Sequence, residues 1–346
     1  MLKKPYVIAE MGVNFYDTAK ELNITPLEAA KLYIKEAKAV GIDAAKFQSY
    51  KANTIASKNS PSYWDLTKNP ITSQYELFKQ LDGFNRDDYA ELHSYCQELD
   101  IDFLSTPFDY ASADYLDEFV DIYKISSSDI TNLPFIRHIA KKGKPIYLSV
   151  GASYLSEVDE AVRAIKEEGN NEICLMHCVL SYPTKNEDAN LNIISSLKKI
   201  YPDITIGFSD HTVPDPCMTI LTAAYLLGAE IIEKHFTLDK TLPGNDHFHS
   251  GDPSDFKKAI ENFELIQVIS GQNEKTVLEC EKIPRREARR SLVFTRDMKK
   301  GEILTDKDLI AKRPGTGISP KYQSVVLGRV LRKDVKEDEI LMWENV

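Results

Sequence analysis

Two segments of this chain, Gly207-Phe208-Ser209-Asp210-His211 and Glu230-Ile231-Ile232-Glu233-Lys234-His235-Phe236, begin as apolar runs and end in polar side chains able to bind ligands. Packing alone does not call for a histidine at the end of both. If the runs are neighbouring strands, His211 and His235 converge and offer two neutral nitrogen ligands. With no cysteine at either end, such a pair suits Mn²⁺, Mg²⁺, Fe²⁺ or Co²⁺ as well as Zn²⁺. Two lysines, Lys46 and Lys124, interrupt other apolar runs. A lysine is seldom fully buried without a partner. Each should therefore meet an anion, either a substrate phosphate or carboxylate or a glutamate of the protein itself. Glu10 closes the first apolar run and could serve as a general acid or base, or simply as a partner for Lys46. His177 reads equally as a core residue, and His247 and His249 fall in a loop, as candidates for substrate contact. Cys174 and Cys178 read as small residues on one face of a buried strand rather than as a metal pair.

These side chains need a frame. Apolar runs at 6–12, 44–48, 102–107, 122–126, 145–151, 173–178, 205–209 and 230–236 read as eight strands. Helical spacing follows at 26–40, 87–99, 110–119, 135–142, 155–168, 191–200, 216–227 and 253–270. The stretch 49–84 reads as polar and irregular. Strands buried on both faces appear as continuous apolar runs, as these do. Eight βα units predict a (β/α)8 TIM barrel over residues 1–271; the alternative is an open doubly wound sheet. In a barrel the chemistry gathers at the C-terminal strand ends. Those ends carry Glu10 and Asn14, Lys46 and Gln48, Ser105 and Thr106, Lys124 with Ser126 to Ser128, Ser149, His177 with Ser181 and Tyr182, Ser209 to His211, and Glu233 to His235 followed by Asp246. From residue 272 the pattern changes. A polar linker, 272–286, leads to short strands at 291–295, 302–305 and 309–312 and a Gly-rich turn at 313–317, which predict a small β-rich domain over 287–346.

The 346 residues carry a formal charge of −10, which argues against a nucleic-acid partner. Residues 285–346 hold 15 Lys and Arg against 10 Asp and Glu, so a basic tail follows an acidic body. No apolar run reaches the length of a membrane span, and the first residues lack the apolar core of a signal peptide. Five cysteines, mostly within apolar stretches, fit reduced thiols in a cytoplasm.

Taken together, Ile8-Ala9-Glu10, Lys46-Phe47-Gln48, Ser105-Thr106-Pro107-Phe108, Tyr123-Lys124-Ile125, His177-Cys178 with Tyr182-Pro183-Thr184, Gly207 to Thr212, Glu233-Lys234-His235-Phe236 and Lys312-Arg313-Pro314-Gly315 resemble the sialic acid synthase family. That family makes N-acetylneuraminic, legionaminic and pseudaminic acids. The resemblance runs along nearly the whole chain, and the tail is similar to the family's antifreeze-like (SAF) domain. It implies condensation of phosphoenolpyruvate with an N-acetylmannosamine-type sugar to a nine-carbon 2-keto acid and phosphate, in first place N-acetylneuraminate. It implies a divalent metal on His211 and His235, in first place Mn²⁺ with Mg²⁺ or Co²⁺ as alternatives, polarising the sugar aldehyde. Glu10 would manage protons. Lys46, Thr106, Lys124, Ser127, Ser149 and Ser209 would hold phosphoenolpyruvate. Gln48, Asn69, Tyr182 and Asp246 would face the sugar or the metal, and Arg313 would reach the sugar from the partner subunit of a domain-swapped homodimer.

The chain departs from the family pattern at three places. Phe15 stands where a histidine is usual, the segment 15–26 is longer, and Leu180 replaces a polar residue; all three are expected near the sugar end of the site. They leave open a diacetamido-trideoxy hexose as acceptor. Two other functions compete. A synthase of 3-deoxy sugar acid phosphates would need further basic residues for the sugar's own phosphate. A catalytically silent sugar-binding scaffold would have no use for Glu10, both histidines and both lysines together.

Overall fold

In the computed structural model, which describes residues 3–244 and 246–346, eight parallel strands form one sheet: β1 (Tyr6–Gly12), β2 (Ala44–Ser49), β3 (Asp102–Pro107), β4 (Tyr123–Ile125), β5 (Ile146–Ser149), β6 (Ile173–His177), β7 (Thr205–Asp210) and β8 (Ile231–His235). Strand β1 pairs with both β2 and β8, and the ends of the pairing order, β3 and β4, lie against each other, so the sheet closes into a barrel. Its register sets Glu10 beside Lys46 on one side and beside His235 on the other. Ile8, Ala44, Leu104, Cys174, Met176 and Ile231 fill the barrel interior as one apolar layer. Because side chains alternate along a strand, the positions two residues further along several of these strands carry Glu10, Lys46, Thr106 and Glu233 into the same interior. Cys174 and Cys178 are both buried and are core residues.

The surrounding helices follow their local signals. Helix Pro26–Ala39 starts at a Thr25–Glu28 capping box with proline in its first turn. Helix Pro253–Ser270 starts in the same way from Asp252, whose carboxylate accepts from Ser254 N and Asp255 N. Among the described residues of the barrel unit, three helices are additional to those read from the sequence. Phe15–Leu22 packs Phe15 against Tyr16, Phe47 and Phe84. Ala52–Ile55 and Gln74–Leu81 lie inside the stretch expected to be irregular. Ala52–Ile55 is a single turn, too short to show a period, whereas Gln74–Leu81 is a two-turn helix whose Leu77, Phe78 and Leu81 share one face, though none of its residues is fully buried. No helix among the described residues is long and apolar enough to cross a membrane.

The chain divides into two compact units, Met1–Gly271 and Gln272–Val346. Within the second, β9 (Ser291–Phe294) pairs antiparallel with β10 (Leu309–Lys312) over a core that includes Leu292, Phe294, Met298, Ile318 and Leu341. Residues 302–305 do not form the expected strand. They make one isolated bridge, Ile303 to Val330, because Gly301 and Thr305 turn the chain on either side. The stretch expected to be a linker contains a short helix, Lys282–Glu287.

Candidate active site

Inside the barrel, charged groups from four strands meet without solvent. Glu10, Lys46, Lys124 and Glu233 are each at most 4% exposed. The Lys46 ammonium lies against the Glu10 carboxylate and donates to Thr106 Oγ1 at 3.0 Å. Lys124 donates to Ser149 Oγ at 2.7 Å. Glu233 stands between the two lysines, 3.7 Å from Lys46 Nζ and 3.6 Å from Lys124 Nζ, and accepts from Ser209 Oγ at 2.9 Å. Both lysines therefore do pair with barrel glutamates, the structural alternative that their sequence context left open. The pairing is loose at Lys124: its ammonium has three N–H donors, and Glu233 sits beyond hydrogen-bond reach. Such a site keeps donor capacity for a further anion. Ser127 is buried nearby, where Gly151 has no room for a side chain: a Cβ there would stand 2.7 Å from Cys178 Sγ and 3.2 Å from Ser127 Oγ.

Burial sets the proton balance. It raises the Glu10 carboxyl to about 7, against the opposing pull of Lys46. Burial would raise Glu233 as well, but Lys124 and Lys46 together hold it below the usual carboxylate range. On Lys46, the two glutamates overcome burial and raise the ammonium, whereas on Lys124 burial wins and lowers it. With Glu10 near neutrality and Glu233 ionised, the four groups can carry a net positive charge, as an anion site requires.

Gln48 links this network to the space above. Its amide donates to Glu10 Oε1 at 2.9 Å and also lines a cavity of about 520 Å³. A side chain at Gly12, where φ is +49°, would press on both groups. Asn69, Tyr182, Asp246 and His235 line the same cavity, so the residues expected to face the sugar, Arg313 apart, share one chamber. Asn69 also braces its own loop, accepting from Ile71 N. Leu180 lines the cavity too, but Phe15 does not: it packs in the aromatic core under helix Phe15–Leu22. The expectation that position 15 lies at the sugar end is thereby corrected. Its neighbour Asn14 does the positioning, donating to Phe236 O at 2.9 Å and Ser250 Oγ at 3.2 Å. Arg313 is exposed in the second unit, directly after β10.

His211 and His235 approach with ring centroids 5.6 Å apart, under the Tyr182 ring at 4.3 and 6.1 Å. His211 Nδ1 donates to Val179 O at 2.7 Å, which leaves Nε2 with the lone pair. Burial lowers His211 to about 4 and holds His235 well below the ordinary imidazole value, so both rings are neutral at pH 7, the form that ligates a metal. His235 Nδ1 is buried without a hydrogen-bond partner. These observations fit a divalent ion. His177 is spent elsewhere, its Nε2 against Ala189 O at 2.9 Å with the ring stacked on Phe208.

Two residues take roles that the sequence reading did not assign to them. Glu233 could have been found by parity, since it lies two positions from Ile231 and from His235 on one face of β8. His249 lies in the loop after β8 as expected, but it is buried there, its ring 5.1 Å from that of His235. His247, by contrast, is structural: it bonds Thr237 Oγ1 at 2.7 Å and lies 3.6 Å from Asp17.

Comparison with known proteins gives a consistent answer. The NeuB family model matches residues 33–275 and the SAF domain model residues 289–346. An uncharacterized protein of Methanocaldococcus jannaschii is 41% identical over 345 residues, 99% of this chain and 94% of that one. The N,N'-diacetyllegionaminic acid synthase of Campylobacter jejuni is 38% identical, covering 98% of this chain and 99% of its own. The crystal structure of N-acetylneuraminic acid (sialic acid) synthetase from Leptospira borgpetersenii, 32% identical, superposes with a TM-score of 0.70 over 82% of this chain and 90% of that one.

Proposed function

This chain belongs to the NeuB family, with a SAF domain behind its barrel, and from that premise we propose that it is a transferase condensing phosphoenolpyruvate with an N-acetylated hexosamine to a nine-carbon 2-keto sugar acid and phosphate. The observation that carries the reading is the buried Glu10–Lys46–Lys124–Glu233 network opening, through Gln48, onto the cavity. Lys46 and Lys124, with the hydroxyls of Thr106, Ser127, Ser149 and Ser209, hold the phosphate and carboxylate. The methylene carbon of phosphoenolpyruvate bonds to the sugar's aldehyde carbon, and the aldehyde oxygen takes up a proton. Water then adds at the adjoining cationic carbon, losing a proton, and phosphate leaves as the ketone forms. Glu10, with its carboxyl near 7, can pass a proton in either direction. Gln48 fixes its orientation. A divalent ion at His211 and His235, Mn²⁺ in first place, would supply Lewis-acid polarisation of the aldehyde. Tyr182, Asn69 and Asp246 would orient the sugar. Arg313 from the partner subunit of a swapped dimer would receive the N-acetyl group.

N-acetylmannosamine is the acceptor expected from the sequence. A second acceptor, a diacetamido-trideoxy hexose, is favoured by the apolar part of the cavity wall, Leu77, Phe78, Phe108 and Leu180, which suits an added acetyl group and a deoxy methyl. The 38% identity to a legionaminic acid synthase points the same way. Phosphate release from phosphoenolpyruvate with Mn²⁺ and each sugar in turn tests the proposal. Release with either sugar names the acceptor. No release with any N-acetylated hexosamine, or release only with phosphorylated sugars, sinks it.

A further inference from the structure

The loop after β8 folds back over the strand that precedes it. Thr237 N donates to Gly251 O at 3.0 Å and Gly251 N to His235 O at 2.8 Å, so the two ends of the loop are pinned together. Inside this closure, Ser250 Oγ donates to Asp246 O at 2.6 Å and is itself held by Asn14. His247 is turned away to Thr237. Asp246 and His249 are left facing His235. One donor atom from each of His235, Asp246 and His249 lies within 4.8 Å of the other two. His235 Nδ1 is 3.7 Å from Asp246 Oδ2.

From this arrangement we propose that His249 and Asp246 join His235 as direct ligands of the divalent ion, so that these three form one face of its coordination sphere, to which His211 adds from the end of β7, and the metal is not held by the His211–His235 pair alone. Ligands about 2.1 Å from an ion stand roughly 3.0 Å apart at right angles and about 4.2 Å apart when opposite. An opposite pair at the 4.8 Å limit would close by about 0.6 Å and an adjacent pair by about 1.8 Å. The pair at 3.7 Å lies between the two values and would close by about 0.7 Å as an adjacent pair. The hydrogen-bond-free Nδ1 of His235, buried in a polar corner, is the atom such an ion would satisfy. Two nitrogens and one oxygen on a single face leave the remaining positions open and suit Mn²⁺, Fe²⁺ or Co²⁺. They also place the ion at the cavity, which Asp246 and His235 both line. All three ligands lie between residues 235 and 249, a chelate closed before the ion arrives. Tyr182 covers it, its ring 5.7 Å from that of His249.

The inference extends the metal assignment and does not depend on the condensation. It is therefore tested without substrates. Chelator-treated full-length protein is titrated with MnCl₂ alone, following loss of the free Mn²⁺ electron paramagnetic resonance signal. His249→Ala is expected to weaken Mn²⁺ binding at least about tenfold, and His249→Asp, which supplies an oxygen ligand in place of the nitrogen, to recover most of the loss. Thermal melts establish that each variant is folded. If His249→Ala misfolds, His249→Phe, which keeps the ring volume, replaces it. Affinity within twofold of the wild type in a folded His249→Ala or His249→Phe protein overturns the proposal, as does absence of Mn²⁺ and Co²⁺ binding by the wild type. A protein that binds Mn²⁺ through His249 yet releases no phosphate would sink the synthase reading and leave this one standing.

Discussion

Strands β7 and β8 carry two buried charge systems on opposite faces, and the contrast separates scaffold from chemistry. Outward, Lys234 and Asp210 pair at 2.6 Å with almost no exposure. Lys234 also donates to Thr212 O at 2.7 Å, and Asp210 accepts from Thr212 N and Oγ1 at 3.0 Å. The set closes on itself and has little further capacity. One residue away, Ser209 and Glu233 face inward to a network of two lysines and two carboxylates in which Lys46 touches Glu10 but Glu233 stands 3.6–3.7 Å from both ammonium groups. A closed pair fixes the fold. An open, imperfectly satisfied network of the same residue types can accept a substrate anion. Burial is equal in the two systems, so burial by itself identifies neither.

The largest test of this contrast is Lys234→Met. It leaves Asp210 buried without its cation and should cost about 3–5 kcal/mol of stability, read by urea denaturation. The corresponding inner change, Lys46→Met, should cost clearly less, because Glu10 already holds a proton readily near neutral pH. Equal losses would erase the distinction.

Glu10→Gln should leave the fold intact and lower turnover by about 10²–10⁴-fold. It should also remove a pH dependence of stability. The folded carboxyl, raised from 4.5 to about 7, keeps its proton where the unfolded chain has released it. The wild type therefore loses stability as pH rises through that window, by on the order of 3 kcal/mol. Denaturation of wild type and variant at pH 4.5 and pH 8 should show this slope in the wild type only. A parallel slope in both would mean that Glu10 is not the group responsible.

The smallest expected effect is that of Lys124→Met. Loss of one charge-assisted contact should raise KM for phosphoenolpyruvate about ten- to a hundredfold, with kcat changed less. An unchanged KM would move Lys124 from the open network to the closed class.

The residues that carry the functional reading are legible in the sequence, because lysine and glutamate inside apolar strands have few explanations. Ser209, Lys46 and Glu10 declare their face by alternation with Gly207, Ala44 and Ile8. Helix Gln74–Leu81 is only two turns long, and its apolar face of Leu77, Phe78 and Leu81 lines the cavity, so the helical spacing is present but short. Phe15 is misplaced by the family pattern, which gives a position in sequence and not the direction of a side chain; here that direction is into the aromatic core.

The sequence by itself determined the eightfold alternation of strand and helix, the two parities of each strand, and the set of polar residues at the strand ends. Those follow from local periodicity, since a strand repeats every two residues and a helix every 3.6. Only the tertiary structure decided which partners each polar group meets across strands. It placed Glu233 between two lysines drawn from β2 and β4, closed Lys234 onto Asp210, and folded His249 back against His235 from further along the chain. Such meetings depend on barrel closure and loop hydrogen bonds, whose geometry no spacing along the chain encodes.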